Sequence, residues 1–91
     1  MNLNEIKIFA SDKNRLKWAC RRGMLELDVL LGNFLEEAYF KLPEEDQFRF
    51  VRLLEAPDPQ LFSWLLGQVQ PEDADFAIIV ERIRKHATTR I

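Results

Sequence analysis

Turn-forming residues are scarce in this chain, and they stand at intervals that suit helices rather than strands. Three glycines (Gly23, Gly32, Gly67) and four prolines (Pro43, Pro57, Pro59, Pro71) are all it has. In the stretches between them apolar residues recur at i, i+3 and i+4 instead of alternating. A many-stranded β fold needs turn signals far more often. The expected class is therefore all-α, a compact five-helix bundle forming a single domain.

Residues 1–11 show neither periodicity nor an evident cap and are expected to form a flexible N-terminal arm, with residues 12–91 as the helical domain. Ser11 or Asp12 caps the first helix, whose apolar positions are Leu16, Ala19 and Cys20. Gly23 is expected to end or bend it by adopting the left-handed conformation. The second helix spans about 24–40, with Leu27, Leu30, Leu31, Phe34, Leu35 and Ala38 as its buried stripe. Gly32 interrupts that stripe at a cost of ~1 kcal/mol relative to alanine, and close packing there is a sufficient reason. Pro43 starts a third helix, Asp58 caps a fourth that Pro59 opens, Gly67 ends the fourth, and Pro71-Glu72-Asp73 opens a fifth. Residues 87–91 are expected to fray.

Hydrophobic residues make up 47% of the chain, enough for a packed core. A formal net charge of −2 argues against coating nucleic acid or membrane by bulk charge. Its distribution is uneven. Residues 13–22 contain Lys13, Arg15, Lys17, Arg21 and Arg22 and no acid, whereas residues 23–46 hold seven acids and a single base, Lys41. The sign flips at Gly23, so neighbouring patches of opposite charge are expected. A lone cysteine, Cys20, fits a reducing compartment. The amino terminus lacks the pattern of a signal peptide, and no apolar run approaches the ~20 residues needed to span a bilayer. A monomeric, cytoplasmic chain without membrane insertion is the expectation.

Sites for chemistry are sparse. One cysteine and one histidine cannot supply a zinc or iron–sulfur ligand set. The isolated glycines form no nucleotide-binding loop. Adjacent acids such as Glu36-Glu37 splay apart on a helix, which suits solvent. Cys20 sits at a core spacing, as an inert apolar group would. His86, among basic residues near a helix end, suits a solvated partner of the dipole. No catalytic residue, metal or resident cofactor is expected, and the chain is not expected to be an enzyme.

What remains is Arg21-Arg22-Gly23-Met24-Leu25-Glu26-Leu27-Asp28. In a continuous helix Arg22 and Glu26 would form an ordinary surface pair contributing a few tenths of a kcal/mol. The glycine between them weakens such a helix and instead lets a partner's backbone approach closely. Arg22 would then offer a bidentate donor fork and Glu26 an acceptor. Trp18, off the Leu16/Cys20 face, is a candidate interface anchor. The candidate partner-binding residues are Trp18, Arg21, Arg22, Gly23, Met24, Glu26 and Asp28. A second dense cluster, Leu61-Phe62-Ser63-Trp64-Leu65-Leu66, reads mainly as core, with Phe62 or Trp64 left to border a groove.

The run from Arg15 to Asp28 resembles the signature of the succinate dehydrogenase assembly factor family. Arg52-Leu53-Leu54-Glu55 and Asp58-Pro59-Gln60-Leu61-Phe62-Ser63-Trp64-Leu65 extend the similarity over residues 12–86. The family's Arg-Gly-x-x-Glu core falls on Arg22, Gly23 and Glu26. Leu25 departs from the basic residue that many relatives carry there. The resemblance implies a five-helix bundle that binds the flavoprotein subunit of succinate dehydrogenase, and in bacteria that of fumarate reductase. It also implies promotion of covalent FAD attachment to a histidine of that partner, the FAD belonging to the partner. Two other expectations stand beside it. One is a nucleic-acid-binding module built on the basic run, which the following acids oppose; the other is an antitoxin-like inhibitor.

Overall fold

The computed structural model describes residues 1–89. Six α-helices occur among them: α1 (Leu3–Ser11), α2 (Lys13–Ala19), α3 (Leu25–Glu37), α4 (Glu44–Leu53), α5 (Asp58–Leu65) and α6 (Ala74–Thr89). A 3₁₀ turn, Tyr39–Lys41, links α3 to α4, and no strand is present among the described residues. The all-α globule matches expectation, but the helix count is six rather than five.

The additional helix is α1, in the segment expected to be a loose arm. Asn2 caps it, its side chain accepting the Glu5 N–H at 2.9 Å. Ile6, Phe9 and Ala10 then recur at i, i+3 and i+4, and all three turn toward the core. The Tyr39 hydroxyl donates to the Ala10 carbonyl at 2.7 Å inside the protein, and burial raises that hydroxyl's pKa. The signal was present as Asn2-x-x-Glu5, an asparagine variant of the capping box.

Asp12 caps α2 through the Arg15 N–H at 3.2 Å, as expected. Along α3 the expected stripe is buried at Leu27, Leu31, Phe34 and Leu35. Phe34, Tyr39 and Phe50 form the aromatic centre of the core, with ring centroids 5.4 and 5.2 Å from that of Phe50. The α6 helix packs against α3, α4 and α5 and buries Ile79, Val80 and Ile83. Its start is capped by Asp73, whose carboxylate accepts the N–H groups of Asp75 and Phe76. It continues through Thr89, so the expected fraying of 87–89 is not seen, and residues 90–91 lie outside the described residues. Asp46, only 2% exposed, ties α4 to α6 by accepting from Arg49 and Arg82, both at 2.8 Å.

Two local expectations are corrected. A Cβ at Gly32 would meet nothing within 4 Å, so helix packing does not require that glycine. His86 is not a solvated dipole partner: its side chain is 18% exposed, pairs with Glu37 at 3.0 Å and meets the Phe34 ring edge-on. The 61–66 cluster is mainly core, as expected: Leu61 and Leu65 are buried, and Phe62 and Trp64 are half-buried against the core, the Trp64 ring lying 5.7 Å from that of Phe76.

Candidate functional site

The α2 helix ends at Ala19, before the Gly23 expected to end or bend it, and Arg21–Met24 form a non-helical loop before α3. Tertiary bonds replace the helical ones. The Arg22 N–H donates to Asp28 Oδ1 in the first turn of α3. The Gly23 N–H donates to Asp58 Oδ2 at 3.2 Å. Gly23 does not adopt positive φ, which occurs only at Gly67 among the described residues, so the expected left-handed helix stop is absent here. Arg22 and Glu26 therefore share no continuous helix.

Arg22 departs furthest from expectation. Rather than offering a fork to solvent, its side chain is 15% exposed and turned inward. Nε donates to Asp58 Oδ1 at 2.7 Å, Nη1 to the carbonyls of Ala19 and Leu54 at 2.9 Å each, and Nη2 to Ala56 at 2.8 Å. Carbonyls at the ends of α2 and α4, which have no partner within their own helices, thus share one cation. Asp58 was expected to cap its own helix. It instead follows the capping residue Pro57, and its carboxylate faces Arg22 and Gly23. The bonds from Arg22, then that from Gly23, hold the Asp58 carboxyl below the usual carboxylate range.

The charge reversal largely closes on itself. Lys13 and Lys17 reach Glu36 across the α2–α3 gap at 3.3 and 3.6 Å, and Arg15 pairs with Asp12 at 3.4 Å. The Lys13 bond, aided by the Lys17 charge, lowers the Glu36 pKa. Of the five basic residues in 13–22, only Arg21 has no carboxylate partner among the described residues. Its guanidinium lies 5.3 Å from the centre of the Trp18 ring. A basic face dispersed into ion pairs is a poor phosphate-binding surface, which disfavours the nucleic-acid module.

The outward surface is consequently well defined. Trp18 is 71% exposed, Arg21 stacks on it, and Gly23 and Glu26 are exposed beyond the loop. The Glu26 side chain makes no hydrogen bond or ion pair among the described residues. Met24 is half-buried against the core, and Asp28 is part of the internal scaffold. A Cβ at Gly23 would find only Asp58 Oδ2, at 4.0 Å. The fold leaves room for a Cβ there, so local packing does not require glycine. Beside this surface a groove of about 490 Å³ separates α2 from α3, with Lys17, Trp18 and Arg21 on one wall and Asp28, Gly32 and Glu36 on the other. Cys20 beneath it is buried, and desolvation pushes its thiol up to about 12, in keeping with an inert core group. Exposed Leu25 and Val29 extend the surface along α3; periodicity hides them because it marks the opposite face.

Residues 14–87 match the family model described as flavinator of succinate dehydrogenase. The chain is 50% identical over 84 residues to the FAD assembly factor SdhE of Colwellia psychrerythraea, covering 92% of each chain. It is 46% identical over 82 residues to the protein of the same name from Vibrio cholerae, covering 90% of this chain and 95% of that one. The solution structure of a UPF0350 protein superposes with a TM-score of 0.71 at 43% identity, over 99% of this chain and 89% of the other. A family match over most of the chain, relatives at this identity and a shared fold establish that the chain belongs to the flavinator of succinate dehydrogenase family.

Proposed function

We propose that this chain is an assembly factor that binds the flavoprotein subunit of succinate dehydrogenase and promotes covalent attachment of FAD, presenting Trp18, Arg21, Gly23, Met24 and Glu26 to it. One observation carries the reading. Trp18, Arg21 and Glu26 are exposed without internal acid–base partners, around a glycine that the fold itself does not require. Arg22 and Asp28, the remaining residues of the motif, support this surface from behind. The flavoprotein of fumarate reductase is a second proposed partner, and the factor acts as a cytoplasmic monomer. FAD belongs to the partner.

The factor supplies no catalytic group. Flavinylation needs the flavin ring held against the partner's nucleophilic histidine, and such positioning can remove several kcal/mol from a barrier. A protein that binds preferentially to the aligned conformation increases its population. Trp18 and Arg21 provide a flat, cationic anchor, Glu26 an acceptor, and Gly23 the close approach.

Covalent flavin fluorescence of the dehydrogenase subunit, in a strain lacking this gene and complemented with variants, tests the proposal. Wild type restores the signal; Gly23→Arg and Glu26→Ala, still folded by circular dichroism, do not. Full restoration by both variants removes the assigned surface, and no effect of wild type removes the function.

A further inference from the structure

We propose that Arg22 and Asp58 are positioning residues. Their guanidinium–carboxylate pair fastens the 21–24 loop to the α4–α5 junction and so holds Gly23 and Glu26 in the geometry that the flavoprotein meets, while neither side chain touches the partner. The inference rests on the proposed function and divides the motif by role: the arginine builds the surface, and the glycine and glutamate form it.

Donor counting supports this division. A guanidinium has five N–H donors, and four hydrogen bonds from Arg22 already end on Asp58, Ala19, Leu54 and Ala56. A two-pronged bond to a partner carboxylate would require breaking some of them. Asp58 is committed in the same way, with one oxygen on the Arg22 Nε and the other on the Gly23 N–H. An aspartate at the start of a helix ordinarily serves that helix. Here α5 begins with no side-chain cap bond, and the carboxylate is directed at a loop 35 residues earlier in sequence. The junction receiving the guanidinium is firm, since Leu54 and Ala56 are both buried. A binding loop ordered beforehand loses less freedom when the partner arrives.

The test reconstitutes flavinylation from the full chain, the purified apo flavoprotein subunit of succinate dehydrogenase and FAD, at a temperature below every variant's unfolding midpoint. Asp58→Asn keeps the side chain's size and removes its charge, whereas Arg22→Lys keeps the charge and removes the fork. Each is expected to slow covalent attachment by roughly tenfold to a hundredfold, the scale of a small misplacement. In the free chain, the NMR order parameter of the Gly23 amide should fall in both variants. Asp58→Asn combined with Glu26→Ala should be hardly slower than Glu26→Ala alone, because both act through one surface. If Arg22→Lys does not fold, Asp58→Asn decides the matter. Wild-type rates in the folded variants overturn the positioning role and leave the proposed function standing. Slowed attachment with an unchanged Gly23 order parameter also overturns it, because Asp58 would then touch the partner directly. A wild-type chain that fails to promote attachment overturns the proposed function, and this inference with it.

Discussion

Replacing Gly32 with alanine adds a methyl group that meets nothing within 4 Å, in the interior of α3. Alanine there should stabilise the chain by up to ~1 kcal/mol, read as a higher urea midpoint at constant slope. The same change at Gly67 should act in reverse. Gly67 holds φ at 76° just after α5, and the Arg84 guanidinium lies over it, 2.5 Å from where a Cβ would stand. Gly67→Ala should cost on the order of 1–2 kcal/mol by the same measurement. Asp58 gives a pH signature. Its carboxyl is held lower in the folded chain than its ordinary value of 3.8, so the folded state binds fewer protons. The contribution is complete above that value and disappears as pH falls through the folded pKa. The stability difference between wild type and Asp58→Asn should accordingly shrink as pH drops below 3.8. Sequence spacing located Gly67 as a helix stop and singled out Gly23 between Arg22 and Glu26. It could not show that Arg22 turns inward, because the carbonyls that draw it belong to residues 54 and 56 and only folding brings them near.

At the scale of elements, helix type was legible nearly throughout, because apolar spacing and proline placement agree along the chain. The exception is α1, whose signal is weak: its cap is an asparagine instead of a serine or threonine, and its apolar repeat is short. Helices this short are marginal alone, so α1 depends on α4 and Tyr39 for its stability. Tyr39→Phe leaves the buried Ala10 carbonyl without its donor and should cost ~1–2 kcal/mol. Removing residues 1–11 should lower both the unfolding midpoint and the denaturant slope, since less surface is then buried. A truncated chain with unchanged stability would show that α1 adds nothing to the domain.

The described residues span 33 × 29 × 25 Å, and ion pairs converge on buried Asp46 and on the more exposed Asp75. Cys20 reports on the integrity of this globule. Its thiol is buried and its pKa raised to about 12, so a thiol reagent at pH 8 should label the native chain only at the rate at which it opens. Labelling as fast as a free cysteine would mean that the α2–α3 groove reaches the sulfur. The bonds of Arg22 also bear on when the motif becomes usable. Three of them join residues 32 to 36 positions apart, and contacts of that separation follow local helix formation. A nascent chain that has only reached α4 already contains the whole Arg-Gly-x-x-Glu sequence but lacks the anchor that shapes it. On the proposed positioning role, a chain truncated before Asp58 is expected not to bind the flavoprotein subunit, which a pull-down with purified subunit checks.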